Sequence, residues 1–355
     1  VVTEFPFFDT TATTTGNWEL ETGYENVWSA TKGWPRSVTF HQGRLYFGGS
    51  KTRPSTIWGS KVGLYFDFEA IEGLDDDAVE ATLDTNTFNA IVDILSGRDL
   101  QVFTTGGEFY VPQEGLSAIT PDSFFFSTTS RNGCKEGVRI KQLESGTLFV
   151  QRQGKALSEI AYSDTQLTYI TSKISLLAGH LLRGPSRMDL RRAVATDEND
   201  LLLIVNNDDG TMAVFSLLRA QNVIAPSEFT TNGSFLDVGV DITDIYTVVM
   251  RTDSGVDKYY VEVFDENRLT DSAVVGTTSA TANMAHVGGM VVNVISDGYV
   301  ELDQTVPAGG TITFVNPPTT SSEVGIPIDV EIKTMPLDVK TQAGTRIGFK
   351  KRILE

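Results

Sequence analysis

Residues 34–69 read WPRSVTFHQGRLYFGGSKTRPSTIWGSKVGLYFDFE, and this stretch decides the fold class. Apolar residues alternate with polar ones, Gly43 marks a turn, and Gly48-Gly49 marks a break. Alternation of this kind, bounded by Gly and Pro, is typical of half-buried strands joined by tight turns. The stretch predicts four short strands of an antiparallel meander, around Val38 and Phe40 and at residues 45–47, 56–60 and 65–68. One such sheet does not bury both of its faces by itself.

The pattern repeats along the chain. An apolar strand, a polar turn and a stronger apolar strand recur at residues 88–111, 139–160, 190–218 and 242–264. The corresponding turn residues, roughly 50 positions apart, are Gly43, Gly97, Gly146, Asn199 and Ser254. One sheet per repeat at this spacing is typical of propellers. We therefore predict an all-β protein: a β-propeller of about five or six blades with one short helix, followed by a small β-barrel or sandwich domain.

The predicted domain boundaries follow changes in composition. Residues 1–30 carry isolated aromatic residues among Thr, Asp and Gly, and are interpreted as an N-terminal arm from a preceding domain that packs onto the sheets. Residues 31–266 form the propeller. Residues 267–355 form the small β-domain, interpreted as truncated because its last strand pattern is incomplete. Within it, 271–290 is small, polar and Gly-rich, which favours a linker or loop.

Composition excludes several classes of protein. The chain has 355 residues, 21% of them charged and 40% hydrophobic, which is ordinary for a globular protein. No apolar run approaches the roughly 20 residues that span a bilayer. The net charge of −18 argues against a protein that grips a phosphate backbone, although it fits a surface past which nucleic acid slides.

Few residues are candidates for a catalytic or metal-binding site. Asp75, Asp76, Asp77, Glu80 and Asp84 are close enough in sequence for a cation site, but they lack the glycine and the ligand spacing of a calcium loop. A solvated acidic turn between repeats is therefore favoured.

The remaining candidates are isolated. Cys134, the single cysteine, forbids an internal disulfide and is interpreted as a buried apolar residue. The segment SKISLLAGHLLRG, residues 172–184, has apolar residues at helical spacing and predicts the one helix. His180 in this segment lacks a catalytic partner at a fixed spacing, and Asp209-Gly210 suits a solvated hairpin turn. No residue is assigned a catalytic, cofactor-binding or metal-binding role.

The order of motifs resembles a known family. GWPRSVTFHQGRLYFGG, RPSTIWGSKVGLYFDFE, FNAIVDILSGRDLQVFTTGGEFYV, LFVQRQGKALSEIAYS, VVMRTDSGVDKYYVEVF and VISDGYVELDQTVPAGGTITF are similar to segments of the tail nozzle, or tail tubular B, proteins of short-tailed bacteriophages and prophages. The resemblance covers residues 28–353 in the family's order. One departure is that residues 221–234 lack the tryptophan that such chains often carry.

The resemblance implies a non-enzymatic virion component. Such proteins form a hexameric ring below the head–tail adaptor, surround the channel through which DNA passes without specific binding, and present outer surfaces to tail fibres. It also implies a location in the virion tail, with assembly in the host cytoplasm. It further suggests a β-domain before Val1 and more sheet after Glu355.

Two other functions stay open. Propellers often host sugar sites, and Trp18, Trp28, Trp34 and Trp58 together with many carboxylates suit glycan binding or hydrolysis. For Trp34 and Trp58 a packing role is favoured. The third possibility is a generic scaffold with no phage connection.

Overall fold

The computed structural model describes residues 27–69, 74–113, 118–143, 146–195, 198–218, 221, 223–253, 255–332, 340–341 and 344–345. These ranges contain strands, turns and two short 3₁₀ helices, at Gly179–Leu181 and Ala285–Val287, and no α-helix. None of the helices in this part of the chain has the length and apolar character needed to cross a bilayer. The chain divides into two compact units, Val1–Phe264 and Asp265–Glu355, and each is described separately.

The first unit is a β-propeller, which confirms the predicted fold class. Its five sheets, called blades here, are antiparallel, and their strands follow one another in sequence order. The strands of the first two blades are β1 (Ser37–His41), β2 (Arg44–Gly48), β3 (Thr56–Gly59) and β4 (Val79–Thr82), then β5 (Ile91–Ser96), β6 (Leu100–Thr104), β7 (Glu108–Val111) and β8 (Ser127–Ser130).

The other three blades complete the series. The third and fourth blades contain β9 (Lys141–Gln142), β10 (Thr147–Val150), β11 (Leu157–Ser163) and β12 (Thr168–Lys173), then β13 (Pro185–Arg191), β14 (Asp200–Asn206), β15 (Met212–Leu218) and β16 (Val223–Phe229). The fifth blade has three strands, β17 (Ser234–Asp241), β18 (Asp244–Asp253) and β19 (Val256–Val263).

The first strand of each blade lies on the inside of the propeller. β1 lies beside β5, and β13 lies beside β9 and β17, so the first strands of successive blades are neighbours. The β1–β2 turn shows how the sequence sets this arrangement locally. Gln42 and Gly43 both have positive φ, 46° and 73°, as the two central residues of a type I′ hairpin turn require.

Each pair of successive blades encloses a cluster of buried apolar side chains. Tyr46 and Ile57 of the first blade pack against Ile91, Ile94 and Val102 of the second. Equivalent clusters lie between the second and third, third and fourth, and fourth and fifth blades. Stacking therefore buries the faces that a single sheet leaves exposed.

The fourth strand of the first blade is not where the sequence pattern placed it. Residues 65–68 form turns and coil, and the fourth strand is β4, which belongs to the acidic stretch interpreted as a turn. Val79 and Leu83 of that stretch are buried, and β4 pairs with β3 from Thr56↔Thr82 to Gly59↔Val79. Two buried apolar residues decide the position of the strand in spite of the surrounding charges.

The predicted helix at 172–184 is also wrong. β12 continues to Lys173, and the chain then passes through turns and the 3₁₀ helix Gly179–Leu181 before β13 begins at Pro185. Ile174, Ala178, Leu181 and Leu182 are buried in the core between the third and fourth blades. Leu177, which the predicted helix would place on the same apolar face, is 92% exposed. A short irregular connection between an outer and an inner strand therefore buries four residues of the predicted stripe without an α-helix.

The second unit is described from Asp265 onward. A four-stranded sheet has the order β20 (Thr270–Gly276), β25 (Ser322–Pro327), β22 (Val291–Ser296) and β23 (Tyr299–Thr305). Two smaller ladders pair β21 (Thr281–Asn283) with β24 (Thr311–Thr313), and β26 (Lys340–Thr341) with β27 (Gly344–Thr345). The barrel or sandwich stays a prediction.

The segment 271–290 is not a linker. It contains β20 and β21, and its residues Met284 and Val287 are fully buried in the core of the second unit. Small and polar residues dominate the segment, but these two apolar side chains fix it to the sheet.

A buried arginine connects the acidic stretch to the first blade. Arg44 is 1% exposed, and its Nη1 donates hydrogen bonds to the carbonyl oxygens of Ser60 at 2.8 Å, Asp76 at 3.3 Å and Asp77. Its Nη2 donates to the carbonyl oxygen of Asp75 at 2.8 Å. The backbone of the acidic stretch therefore wraps around one buried cation, which requires these acceptors because it is removed from water.

We expect Arg44→Met to lower the free energy of unfolding by about 2–4 kcal/mol, because four backbone carbonyl oxygens, two of them in fully buried contacts, lose a charged donor. Urea unfolding followed by tryptophan fluorescence measures the change. Arg53→Met is the matched control in the same blade: Arg53 pairs with Glu80 at 2.6 Å on the surface, and its loss costs less than about 1 kcal/mol. Equal stability of the two variants would contradict the anchoring role of Arg44.

Candidate functional site

Polar side chains gather on the inner strands, where successive blades meet. Asp93 lies at a bulge of β5, where its Oδ1 accepts hydrogen bonds from Ser37 Oγ of β1 at 2.5 Å and from the Ile94 N–H at 3.0 Å. Its Oδ2 accepts one from the Ile140 N–H, just before β9, at 3.4 Å. One carboxylate therefore joins three blades.

The same kind of contact continues around the inner strands. Lys141 Nζ of β9 lies 2.6 Å from Asp189 Oδ1 of β13, and Asp189 Oδ2 accepts a hydrogen bond from the Val240 N–H of β17 at 3.0 Å. Arg187 Nε lies 3.6 Å from Asp237 Oδ2. We call this series the inner polar seam, defined by Ser37, Asp93, Lys141, Asp189 and Asp237.

Evenly spaced charged residues in the sequence indicate this seam, although the strand prediction did not consider them. Positions 93, 141, 189 and 237 are evenly spaced and each carries a charged residue. Three of them are aspartates flanked by apolar residues, in VDI, MDL and LDV. A charged residue within an apolar strand, at the same place in successive repeats, marks an inner-strand position that contacts the next blade.

A cavity of about 370 Å³, called the axial cavity here, lies where the inner strands begin. Residues that precede β1 and β9, together with the start of β5, line it: Arg36, Val92, Asp93, Glu136, Gly137, Val138 and Arg139. Arg36 Nη1 donates a hydrogen bond to Glu136 Oε1 at 2.9 Å, and both side chains are largely exposed. The cavity is thus open to solvent at Arg36 and Glu136, and its lining includes two carboxylates and two arginines.

The chemistry open to this cavity is polar recognition. Guanidinium groups and carboxylates at one rim suit hydroxyl-rich or charged ligands, because they supply both hydrogen-bond donors and acceptors. Asp93 is already an acceptor in the inner polar seam, and Glu136 pairs with Arg36. Ligand binding here would compete with those contacts.

A buried carboxyl group lies between the second and third blades. Glu108 is fully buried; its Oε2 accepts a hydrogen bond from Ser130 Oγ, and its Oε1 accepts one from Cys134 Sγ at 3.4 Å. Burial raises the pKa of the Glu108 carboxyl, and the hydrogen bonds from Ser130 and Cys134 oppose that rise. Glu108 is not among the residues that line the axial cavity, so it serves the connection between the blades.

The acidic stretch does not converge on one point. Asp75, Asp76, Glu80 and Asp84 are exposed, whereas Asp77 is buried and lies 3.7 Å from Lys61 Nζ. Within the described ranges, no group of three or more His, Cys, Asp or Glu side chains is arranged to hold a metal ion.

The other single candidates lie apart from the cavity. His180 is exposed in the 3₁₀ helix Gly179–Leu181. Asp209 stands in the β14–β15 turn, where Gly210 has a φ of 71°, which confirms the predicted hairpin. The Asp209 carboxylate lies 2.5 Å from Arg183 Nη1, so it takes part in a surface ion pair.

The tryptophans separate into two groups. Trp58 is buried, and its ring centroid lies 5.4 Å from that of Trp28, which confirms a packing role. Trp34 is exposed, so the packing interpretation is wrong for this residue. Trp18 lies outside the described residues.

The aromatic run 124–126 precedes β8 instead of lying within a strand. Phe124 and Phe126 pack against the core between the first two blades, while Phe125 is exposed.

The fold and the cavity define a β-propeller with a polar cavity beside its inner strands. The chain was also compared with known proteins. Solved structures similar to the chain include a luciferin-regenerating enzyme, with 12% identity, a TM-score of 0.27, and coverage of 64% of this chain and 89% of that one. Another is the exo-β-1,3-galactanase of Phanerochaete chrysosporium with galactose, with 9% identity, a TM-score of 0.34, and coverage of 82% and 92%. No family model and no curated protein matches the chain.

These matches correct one expectation. The prediction that the chain is not an enzyme is contradicted, because the solved structures similar to the chain are enzymes. The low identities and TM-scores transfer no substrate to this chain.

We expect the Cys134 thiol to be unreactive in the folded protein. Cys134 is 1% exposed; burial raises the pKa of its thiol well above the usual value, and the nearby Glu108 carboxylate adds to the shift. Because the thiolate is the reactive form, 5,5′-dithiobis(2-nitrobenzoate) at pH 8 labels the native chain at least tenfold more slowly than the guanidinium-unfolded chain. Comparable rates in the two states would show that Cys134 is accessible.

Proposed function

We propose that this chain is a structural component of a bacteriophage or prophage tail, part of a nozzle ring around the path of the ejected DNA. The ordered motifs over residues 28–353 support this proposal, and so does the surface of the second unit. The partners are other copies of the chain in a hexamer, a head–tail adaptor and tail fibres, and the location is the virion tail.

The observation that carries the proposal is the free edge of the second unit's sheet. Within the part of the chain that the structure describes, β23 is the last strand in the order β20-β25-β22-β23, so one of its sides has no partner strand there. Tyr299, Val300 and Leu302 on this strand are exposed large apolar side chains. An apolar edge strand is a liability in a monomer and a binding surface in an assembly.

The net charge of the chain also supports the proposed role in a ring around DNA. With a net charge of −18, the chain repels a phosphate backbone overall, so a ring of such chains lets DNA pass without retaining it. A DNA-binding protein of this size requires the opposite balance on its contact surface.

We expect the full chain, mixed with its head–tail adaptor, to form rings in negative-stain microscopy. Leu302→Lys lowers the fraction of chains in rings at least fivefold, because a charge on the edge strand opposes contact with a neighbour. Thr305→Lys, at an exposed polar position of the same strand, is the matched control and leaves ring formation unchanged. Absence of rings from the unmodified chain, or an equal effect of both substitutions, would reject the proposal.

The second candidate is a glycan-binding or glycan-hydrolysing propeller. The axial cavity supports it, because Asp93 and Glu136 line that cavity beside two arginines, and the exposed Trp34 precedes Arg36 in the chain. An aromatic face beside hydrogen-bonding groups is the usual means of holding a sugar ring, and paired carboxylates are used in its hydrolysis.

A glycan function predicts binding in calorimetry with bacterial surface polysaccharides and β-1,3-galactotriose. Trp34→Ala and Glu136→Gln each weaken that binding at least tenfold, and Tyr299→Ala in the second unit leaves it unchanged. A reducing-sugar assay then separates a hydrolase from a lectin. Absence of both binding and turnover across the panel rejects this candidate.

A further inference from the structure

The chain contains two Asn-Gly pairs, at residues 132–133 and 232–233, and the structure places them in different surroundings. Asn132-Gly133 follows β8, and Asn232-Gly233 connects β16 of the fourth blade to β17 of the fifth. An Asn-Gly pair is chemically distinctive because glycine has no side chain to shield its backbone nitrogen, which is then able to attack the amide of the preceding asparagine.

The first pair is held by hydrogen bonds in the core. Asn132 Nδ2 donates a hydrogen bond to Ser130 Oγ at 3.1 Å. Gly133 is buried, and its N–H donates a hydrogen bond to the Glu108 carboxylate. The Gly133 carbonyl oxygen accepts a further hydrogen bond from the Arg152 N–H at 2.8 Å. The amide and the nitrogen that would have to react are therefore both fixed in place.

The second pair is open to water. Asn232 and Gly233 are both exposed, and within the described part of the chain no hydrogen bond holds the Asn232 side-chain amide. The Gly233 N–H donates a hydrogen bond to the Thr231 carbonyl oxygen at 2.9 Å, which closes a γ-turn around Asn232. Exposed backbone hydrogen bonds in a connection between strands open readily, so the Gly233 nitrogen becomes available to the amide.

The neighbouring strand requires glycine at this position. Gly233 has a φ of 145°, and an added Cβ would overlap the Met250 carbonyl oxygen of β18. Any other residue would be strained here, because its side chain has no room and its backbone rarely adopts this conformation. The fold therefore keeps an unshielded nitrogen directly after Asn232.

A buried arginine contacts the peptide that joins Asn232 to Gly233. Arg251 of β18 is fully buried, and its Nη1 donates a hydrogen bond to the Asn232 carbonyl oxygen at 2.7 Å. Its Nε and Nη2 donate to Glu262 Oε1 at 3.1 and 3.0 Å, and Nη2 also donates to Oε2 at 2.9 Å. This paired contact with Glu262 fixes the planar guanidinium, so that Nη1 stays directed at the Asn232 carbonyl oxygen.

The position of Arg251 favours loss of the Gly233 amide proton. When a peptide N–H is deprotonated, the negative charge is shared with the oxygen of the same peptide, which here is the Asn232 carbonyl oxygen. A guanidinium group that donates a hydrogen bond to that oxygen stabilises the anion. Because the deprotonated Gly233 nitrogen is the nucleophile, this contact raises the population of the reactive form.

We propose that Asn232 is a modification site, at which the folded chain converts asparagine to isoaspartate with Arg251 as the promoting group. Hydroxide from solution removes the Gly233 amide proton, and the nitrogen lone pair forms a bond to Asn232 Cγ. The Cγ–Nδ2 bond breaks, and Nδ2 takes up a proton and leaves as ammonia. The product is a succinimide ring. This inference does not depend on the function proposed above.

Water then opens the ring at one of its two carbonyl carbons. Attack at the Asn232 backbone carbonyl carbon breaks its bond to the Gly233 nitrogen, which keeps the electron pair, takes up a proton and stays bonded to Cγ; this product is isoaspartate. Attack at Cγ gives aspartate. Arg251 polarises the backbone carbonyl and stabilises the new α-carboxylate, so isoaspartate is favoured. The backbone between the fourth and fifth blades thereby gains one methylene group.

Incubation of the full chain at pH 8 tests the proposal, with Asn132 as the internal control. Peptide mass spectrometry follows the gain of mass as an amide becomes a carboxyl group, and labelling by isoaspartyl methyltransferase identifies isoaspartate. We expect Asn232 to convert at least tenfold faster than Asn132 in the folded chain, with isoaspartate as the main product. Equal rates at the two pairs, or no conversion of Asn232, would overturn the proposal.

A second comparison tests the role of Arg251 without any substitution. Unfolding in urea removes the contact between Arg251 and the Asn232 carbonyl oxygen and exposes both Asn-Gly pairs. We therefore expect Asn232 to convert at least threefold more slowly in the unfolded chain than in the folded one, whereas Asn132 converts faster after unfolding. An Asn232 rate that is equal or higher in urea would contradict promotion by the fold.

A variant tests the same contact in the folded chain. Arg251→Lys keeps the positive charge but loses the fork that reaches both Glu262 and Asn232, so conversion slows at least threefold. Arg192→Lys is the matched control, because Arg192 Nη2 also donates to a backbone carbonyl oxygen, that of Gln142 at 2.9 Å. Circular dichroism establishes that both variants are folded. An unchanged rate in Arg251→Lys, or equal slowing in both variants, would reject Arg251 as the promoting group.

Discussion

The structure depends on the need to bury both apolar faces of each small sheet. A blade of three or four short strands has too little core of its own, so each face packs against a neighbouring blade. Four separate clusters of buried apolar side chains, one between each successive pair of blades, result from this constraint. Among the described residues, the first and fifth blades each share a cluster of buried apolar side chains with one neighbouring blade.

Polar groups inside the propeller follow from the same stacking. Stacked sheets remove inner-strand side chains from water, so charged groups there require partners within the protein. Asp93 and Asp189 meet this requirement by accepting hydrogen bonds from backbone N–H groups of the next blade. Arg44 meets it through backbone carbonyl oxygens, and Glu108 through Ser130 and Cys134. These contacts fix how each blade sits against its neighbour, which apolar packing alone specifies less sharply.

Two surface features, the axial cavity and the edge strand β23, bear on the function of the protein. The carboxylates of the cavity already have partners, whereas β23 of the second unit presents exposed apolar side chains at an edge that no other described strand covers. The first feature suits recognition of a polar ligand, and the second suits assembly into a larger object. The assembly proposal draws on the edge and on the family resemblance, and the glycan candidate draws on the cavity.

The sequence by itself determined the all-β class, the hairpin turns and the repeat, because period-two alternation and turn residues act locally. Gly43 and Asp209-Gly210 are turns as predicted. Tertiary structure decided the secondary structure of segments whose local sequence pattern fits more than one conformation. The acidic stretch became β4 because Val79 and Leu83 are buried, and residues 271–290 became part of a sheet because Met284 and Val287 enter its core. Ile174, Ala178, Leu181 and Leu182 of the segment 172–184 are buried without an α-helix, because an irregular connection between blades places them in the core equally well. The inner polar seam joins residues of different blades, and only the stacked fold brings those residues together.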